Sequence, residues 1–473
     1  MMQPMNLDPL LLSRIQFGFT VSFHIIFPAF TIGLAAWLAT MEGVRLATGN
    51  PVYRRLFDFW IKIFAVSFGM GVVSGIVMAF QFGTNWSVLA EKTGSIQGPL
   101  LGYETFTAFL LEATFLGVML VGRDRVSPLV YFFACCMVSL GTLFSSFWIL
   151  ANNSWMQVPV GHQIVDGKII PSDWKTIITG PVFLVRWLHM LLAAFLTTSM
   201  CVIATGAWYL LRVIHRPEAR AMMHWGMGLA AVLVAVQFFF GHLNGRYVVH
   251  HQPSKIAAIE ARWRDEKPAS EVLLAWPDEE NHRNLFAITL PPPFGSLIDS
   301  GSLSAGEVGL DSIPRENWPP VVIPFFAFRI MVGMGLVMLA VSWFGSWLRF
   351  RGRLETTRWF LWCGFLAFPS GFVAVLTGWI TAEVGRQPWV VFGLLRTADA
   401  MTPTLTGPQV LATLIGYLLV YAFIFAFGIR YIYGLLREGP TEAGLRRAPA
   451  TGKRPMRAAG PAETATGTAA AAE

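Results

Sequence analysis

Long apolar runs separated by short polar segments set the pattern of the chain. Nine runs, at 10–40, 57–80, 103–121, 127–150, 182–211, 222–241, 321–350, 359–380 and 410–436, are each long enough to cross roughly 30 Å of hydrocarbon at about 1.5 Å per residue. The pattern predicts an all-α fold, a polytopic membrane bundle of about nine transmembrane helices. Asp8 followed by Pro9 is an N-cap with proline at the first helical position, so the first run reads as a retained helix. No repeat relates the two halves, which weakens a transporter built from paired repeats.

Basic residues fix the expected orientation. Arg45, Arg54 and Arg55, then Arg123 and Arg125, then Arg212, Arg216 and Arg220, then Arg351, Arg353 and Arg358 lie in loops on one side, with Arg437, Arg446, Arg447, Lys453 and Arg457 after the last run. The opposite loops carry fewer, such as Lys92, Lys168 and Lys175. The N-terminus is therefore expected outside and the C-terminus in the cytoplasm. The chain divides into a six-helix part (1–241), a polar outward loop (242–320), a three-helix part (321–438) and an Ala-, Pro- and Thr-rich tail (439–473) that reads as disordered. A loop that long is expected to be functional. Within it Ser254 to Trp263 has the cap and spacing of a short amphipathic helix.

Composition agrees with the pattern: 54% of residues are hydrophobic and 13% charged, against roughly a quarter charged in soluble domains. The net charge of +7 sits in the loops as arginine, so it reports topology and not a nucleic-acid partner. Cys135, Cys136, Cys201 and Cys363 all fall inside apolar runs and form no disulfide framework and no C-x-x-C-H haem attachment.

Polar residues inside such runs are costly and therefore candidates for function. His24 lies mid-span in the first run, where it is a core residue, a proton carrier or a metal ligand. His189 follows Arg186 by three residues, and Met331 follows Arg329 by two; a buried His and Met from different helices are a possible axial pair for a low-spin haem. Glu104 and Glu112 are eight residues apart, about 12 Å along one helix and within about a quarter-turn, as in a proton relay. The run ending at Ile380 is broken by Glu383, Gly385, Arg386 and Pro388; a carboxylate and a guanidinium three apart there are either interfacial or functional. No Walker A, C-x-x-C or H-E-x-x-H motif occurs; the only adjacent histidines, His250 and His251, lie in the polar loop, against haem–copper oxidases, and no two histidines about a dozen residues apart share one run, against bis-histidine cytochromes of the bc type.

Taken together, these residues resemble subunit I of the cytochrome bd quinol oxidases over 12–436. The resemblance rests on Gly385-Arg386-Gln387-Pro388-Trp389 with Glu383 and Trp379 before it. It also rests on Phe326-Ala327-Phe328-Arg329-Ile330-Met331, Phe82-Gly83-Thr84-Asn85-Trp86, Trp155-Met156-Gln157-Val158-Pro159, and Lys255-Ile256-Ala257-Ala258-Ile259-Glu260 in the loop. Between Phe294 and Asp311 the loop lacks a long insertion, as in the short-loop branch that includes cyanide-insensitive oxidases.

The resemblance implies a terminal quinol oxidase of the bacterial cytoplasmic (inner) membrane that reduces dioxygen to water. It implies His189 and Met331 as axial ligands of a low-spin haem b. His24 and Glu383 are implied at a di-haem oxygen site holding a high-spin haem b and a haem d, or two high-spin b haems. Glu104 and Glu112 are implied near that site and its proton supply from the cytoplasm, electrogenic without pumping. It further implies Lys255 and Glu260 at the quinol, Arg329, Arg386 and Trp379 beside the haems, a multi-span subunit II as partner, and in some members a small single-span subunit. Two other readings are a haem-b quinone-reactive anchor that does not reduce oxygen, and a transporter using Glu104, Glu112 and Arg329.

Overall fold

The computed structural model describes residues 7–441. Among them nine helices are long and apolar enough to cross a membrane: α1 Pro9–Thr48, α2 Pro51–Thr84, α3 Ser87–Val121, α4 Pro128–Gln157, α5 Phe183–Arg212, α6 Arg216–His251, α7 Val322–Phe350, α8 Arg358–Val384 and α9 Gly407–Glu438. Asp8 caps α1 as expected, accepting from Leu10 N at 2.9 Å ahead of Pro9. α8 is interrupted between Leu366 and Ser370, where Pro369 lacks the amide a continuous helix needs.

Two helices depart furthest from their expected bounds because hydropathy under-reports polar helix. α3 starts at Ser87 and not near 103; its first half carries Glu91, Lys92, Ser95 and Gln97, yet Leu89, Ile96 and Leu100 pack it against Trp86, Trp155 and Ile169. α6 runs on to His251, ten residues past the apolar run, so the outer loop begins at Gln252. A π-helical turn, Thr105–Phe109, sits inside α3. Its one extra residue makes the step from Glu104 to Glu112 equivalent to about seven α-helical residues, which closes the quarter-turn to roughly 20°.

The main core joins α1, α2, α5 and α6 through Leu38, Trp60, Phe64, Met200 and Met227. Cys135 and Cys201 are buried, whereas Cys363, though inside an apolar run, is exposed on the bundle surface. The outer loop folds over the bundle end. It contains the short helix Pro253–Ile259 and an antiparallel hairpin, Glu271–Asp278 with Arg283–Leu290. The short helix ends at Ile259, before the expected Trp263, and is no amphipathic surface element: Ser254 through Ile259 are all buried. The expected tail lies outside the described residues beyond 441.

Candidate active site

Glu383, in the last turn of α8, is the centre of a buried polar cluster. Arg386 Nη2 reaches its Oε2 at 2.5 Å, and Asn153 Nδ2 and Gln157 Nε2 of α4 donate to its Oε1, each at 3.0 Å. Arg186 of α5 donates to Asn153 Oδ1 at 2.6 Å and Ser154 Oγ at 3.1 Å. Lys255 Nζ donates to Gln157 Oε1 at 2.5 Å. Three basic side chains thus surround one carboxylate. Burial, followed by repulsion from Arg186, holds the Lys255 ammonium well below the usual lysine range. Arg386 Nε and Nη1 are buried without a partner. Such an excess of buried cationic donors suits an anionic group, as a haem propionate would be.

The other candidates sit on separate helix pairs, and each lies against a glycine that lets the partner helix approach. His24 faces α2, where a Cβ at Gly75 would come within 3.0 Å of its Cε1. Ser74 Oγ lies 3.0 Å from the Met70 and Gly71 carbonyls and 3.0 Å from His24 Nδ1. With Ser74 engaging Nδ1, Nε2 is the ring nitrogen left for an iron. His189 faces α6 at Gly241, 3.2 Å from a would-be Cβ. Its Nε2 contacts Gln237 at 3.4 Å, while its Nδ1 is buried and unpartnered. Met331 Sδ lies 2.9 Å from a would-be Cβ at Gly378 of α8. Trp379, one residue on, is half-buried. Two imidazoles with a spare ring nitrogen each and a seated thioether fit iron ligation.

The two proton-relay candidates share a face toward α4. Ser145 Oγ donates to Glu104 Oε1 at 2.8 Å, and one turn earlier on α4 a Cβ at Gly141 would overlap Glu112 Cγ at 2.6 Å. Glu112 is 6% exposed.

The loop candidates separate. Lys255 joins the Glu383 cluster, while Glu260 pairs with Arg329 of α7 at 3.2 Å. Arg329 also donates to Ile259 O at 2.7 Å, Phe325 O at 3.0 Å, Leu273 O at 2.9 Å and Val272 O. All three of its nitrogens are engaged, so this geometry gives Arg329 the task of anchoring the loop, and none of them is left over for a haem edge. Sequence reading passed over Gln157, Asn153 and Ser74; Gln157 lay inside a matched motif, and only the helix packing gives the other two a role.

The model of the family described as cytochrome bd terminal oxidase subunit I matches residues 12–440. The chain belongs to this family. It is 34% identical to cytochrome bd ubiquinol oxidase subunit 1 of Bacillus subtilis, covering 91% of this chain and 94% of the relative. It is 30% identical to cytochrome bd-II ubiquinol oxidase subunit 1 of Escherichia coli, covering 92% and 97%. Its fold resembles bd oxidase from Geobacillus thermodenitrificans with a TM-score of 0.85 and 27% identity, over 92% of this chain and 99% of that one. As a cytochrome bd subunit I, the chain is a haem-binding, multi-pass bacterial membrane protein of a respiratory quinol:oxygen oxidoreductase, a complex in which subunit I works with a subunit II. That sets aside the transporter reading and the anchor that does not reduce oxygen.

Proposed function

We propose that this subunit carries the complete route from quinol to dioxygen, with ubiquinol or a related quinol as donor. His189 and Met331 hold a low-spin haem b. His24 and Glu383 serve the oxygen site, where a high-spin haem b stands with a haem d or with a second high-spin haem b. The observation that carries this reading is the cluster around Glu383, where Arg186, Arg386 and the two unpartnered Arg386 nitrogens call for an anion. Haem, when bound, supplies the one-electron and oxygen chemistry.

The protein's own residues do the rest. Arg386 and Arg186 neutralise propionates. Ser74 engages His24 Nδ1, and the carboxylate oxygens of Glu383, already accepting from Arg386, Asn153 and Gln157, retain lone pairs for a metal. Glu104 and Glu112 pass protons from the cytoplasmic side, so charge crosses the membrane without a pump. Glu260 receives a proton from quinol at the outer face, and Lys255 connects that loop to Glu383. The loop arginines favour an outer N-terminus and a cytoplasmic C-terminus. Subunit II covers part of the apolar surface, and a small single-span subunit is a further candidate there.

Reduced-minus-oxidised spectra test the ligands. His189→Ala and Met331→Leu each remove the low-spin b signal while the protein still inserts; an unchanged spectrum refutes the pair. A long-wavelength chlorin band in the wild type marks haem d, and its absence assigns two b haems to the oxygen site.

A further inference from the structure

Behind Glu260 lies a second buried carboxyl that neither motif nor family reading picks out. Oxygens of Glu260, Glu271 and Asp299 lie within 4.8 Å of one another, and the three residues are 3%, 7% and 6% exposed. Two arginines answer them: Arg329 pairs with Glu260 at 3.2 Å and Arg262 with Asp299 at 2.8 Å. Glu307, also buried, accepts from Ser300 Oγ. Among the described residues no cation pairs with Glu271, and its Oε2 is buried with no hydrogen-bond partner. Arg329 has no nitrogen left to give it, as described above.

An unpaired buried carboxylate beside two others costs several kcal/mol, so the group takes up a proton instead. Burial, then the neighbouring Glu260, raises the Glu271 carboxyl far above the usual carboxylate range. The place of this proton matters because Glu260 lines a cavity of about 170 Å³ with Arg262, Trp263, Ser270, Val272 and His282. Trp263 and His282 stack there with ring centroids 5.6 Å apart. Ser270 and Val272 line the cavity, whereas Glu271 between them on the strand points away from it, toward Glu260.

We propose that Glu271 is a positioning residue for quinol oxidation: it holds a proton against Glu260, so that the two carboxyls accept the quinol proton as one unit. This rests on the reading of Glu260 as the quinol's proton acceptor. In the resting pair one proton sits on Glu271 and Glu260 is ionised against Arg329. Twice in succession a quinol O–H bond breaks, an O–H bond forms at Glu260 and one electron leaves through the oxidase to dioxygen, so that quinol becomes quinone. Each time the pair holds two protons and releases one through the cavity to the outer water before the next. Asp299, Glu307, Arg262 and Arg329 are the other charged groups facing the pair, and they fix its net charge.

The intact oxidase tests this with Glu271→Gln, which keeps a donor to Glu260 but binds no extra proton. Infrared spectra of the resting wild type carry a protonated-carboxyl C=O band that Glu271→Gln removes. The variant keeps wild-type haem absorbance, its quinol KM stays within about twofold, its kcat falls about tenfold, and the alkaline limb of its kcat–pH profile disappears. An unchanged band, or a wild-type kcat and pH profile, overturns the proposal. Glu271→Asp restores the limb; its loss there overturns the proposal too, and this variant serves if Glu271→Gln does not assemble. Should Glu260→Gln oxidise quinol with wild-type kcat and KM, it is the underlying reading of Glu260 that fails, and with it the proposal. An impaired Glu260→Gln beside a wild-type-like Glu271→Gln sinks the proposal alone.

Discussion

Lys255 Nζ donates to Gln157 Oε1 at 2.5 Å, and the same Gln157 amide donates to Glu383 at 3.0 Å. One side chain of α4 therefore ties the outer loop to the carboxylate at the end of α8. Gln252 strengthens the tie by donating to Gln157 O at 2.9 Å and Oε1 at 3.1 Å. Lys255 is thus a buried strut whose stem runs 2.8 Å from a would-be Cβ at Gly385.

From this strut, Lys255→Met is expected to change two properties together. Quinol kcat/KM falls roughly tenfold, the loss of one buried hydrogen bond worth about 1.5 kcal/mol, and the haem absorbance shifts because Gln157, which donates to Glu383, loses its Lys255 partner. Steady-state kinetics and spectra on one preparation check this; a kinetic change with wild-type haem bands would detach Lys255 from the Glu383 cluster.

Gly378→Ala is expected to disturb the low-spin haem, since the new Cβ would lie 2.9 Å from Met331 Sδ and the thioether must move. Gly94→Ala, with open space around its Cβ, leaves the spectrum unchanged. Reduced-minus-oxidised spectra of the two variants decide, and identical wild-type spectra would remove Met331 from the ligand list.

Glu112→Gln should slow oxygen consumption about tenfold or more while the haem spectra persist, because an amide cannot pass a proton. Ser145→Ala, which removes the 2.8 Å bond to Glu104, should slow it less. Wild-type oxygen uptake in Glu112→Gln would end the relay assignment.

The buried Arg262–Asp299 pair at 2.8 Å makes loop stability depend on pH. Burial, then Glu260, raises the Asp299 carboxyl from 3.8 to about 6, so the folded loop binds this proton more tightly than the unfolded chain does. The stabilisation is complete below about pH 4 and is lost as pH rises through about 6, on the order of 1 kcal/mol per pH unit. Hydrogen exchange should find the loop amides better protected at pH 5 than at pH 7. Asp299→Ala, leaving Arg262 buried and unpaired, should cost about 3–5 kcal/mol and expose 260–300 to protease.

By itself the sequence determined the class of the protein. Runs of about twenty or more apolar residues have no stable place but a bilayer, where the backbone must form helices; the ordered motifs around Glu383, Met331 and Lys255 then pointed to one family. The same local signal missed the first half of α3 and the last turns of α6, since a helix rich in polar residues looks like loop to a hydropathy scale. Only the tertiary structure decided partnership. Lys255 and Glu260 lie five residues apart, yet one turns to Glu383 and the other to Arg329. The π-turn that aligns Glu104 with Glu112, the glycines beneath His24, His189 and Met331, and the proton-holding place of Glu271 all arise from contacts between distant segments. No local periodicity encodes such contacts, because the energy of a buried charge depends on which groups other helices bring beside it.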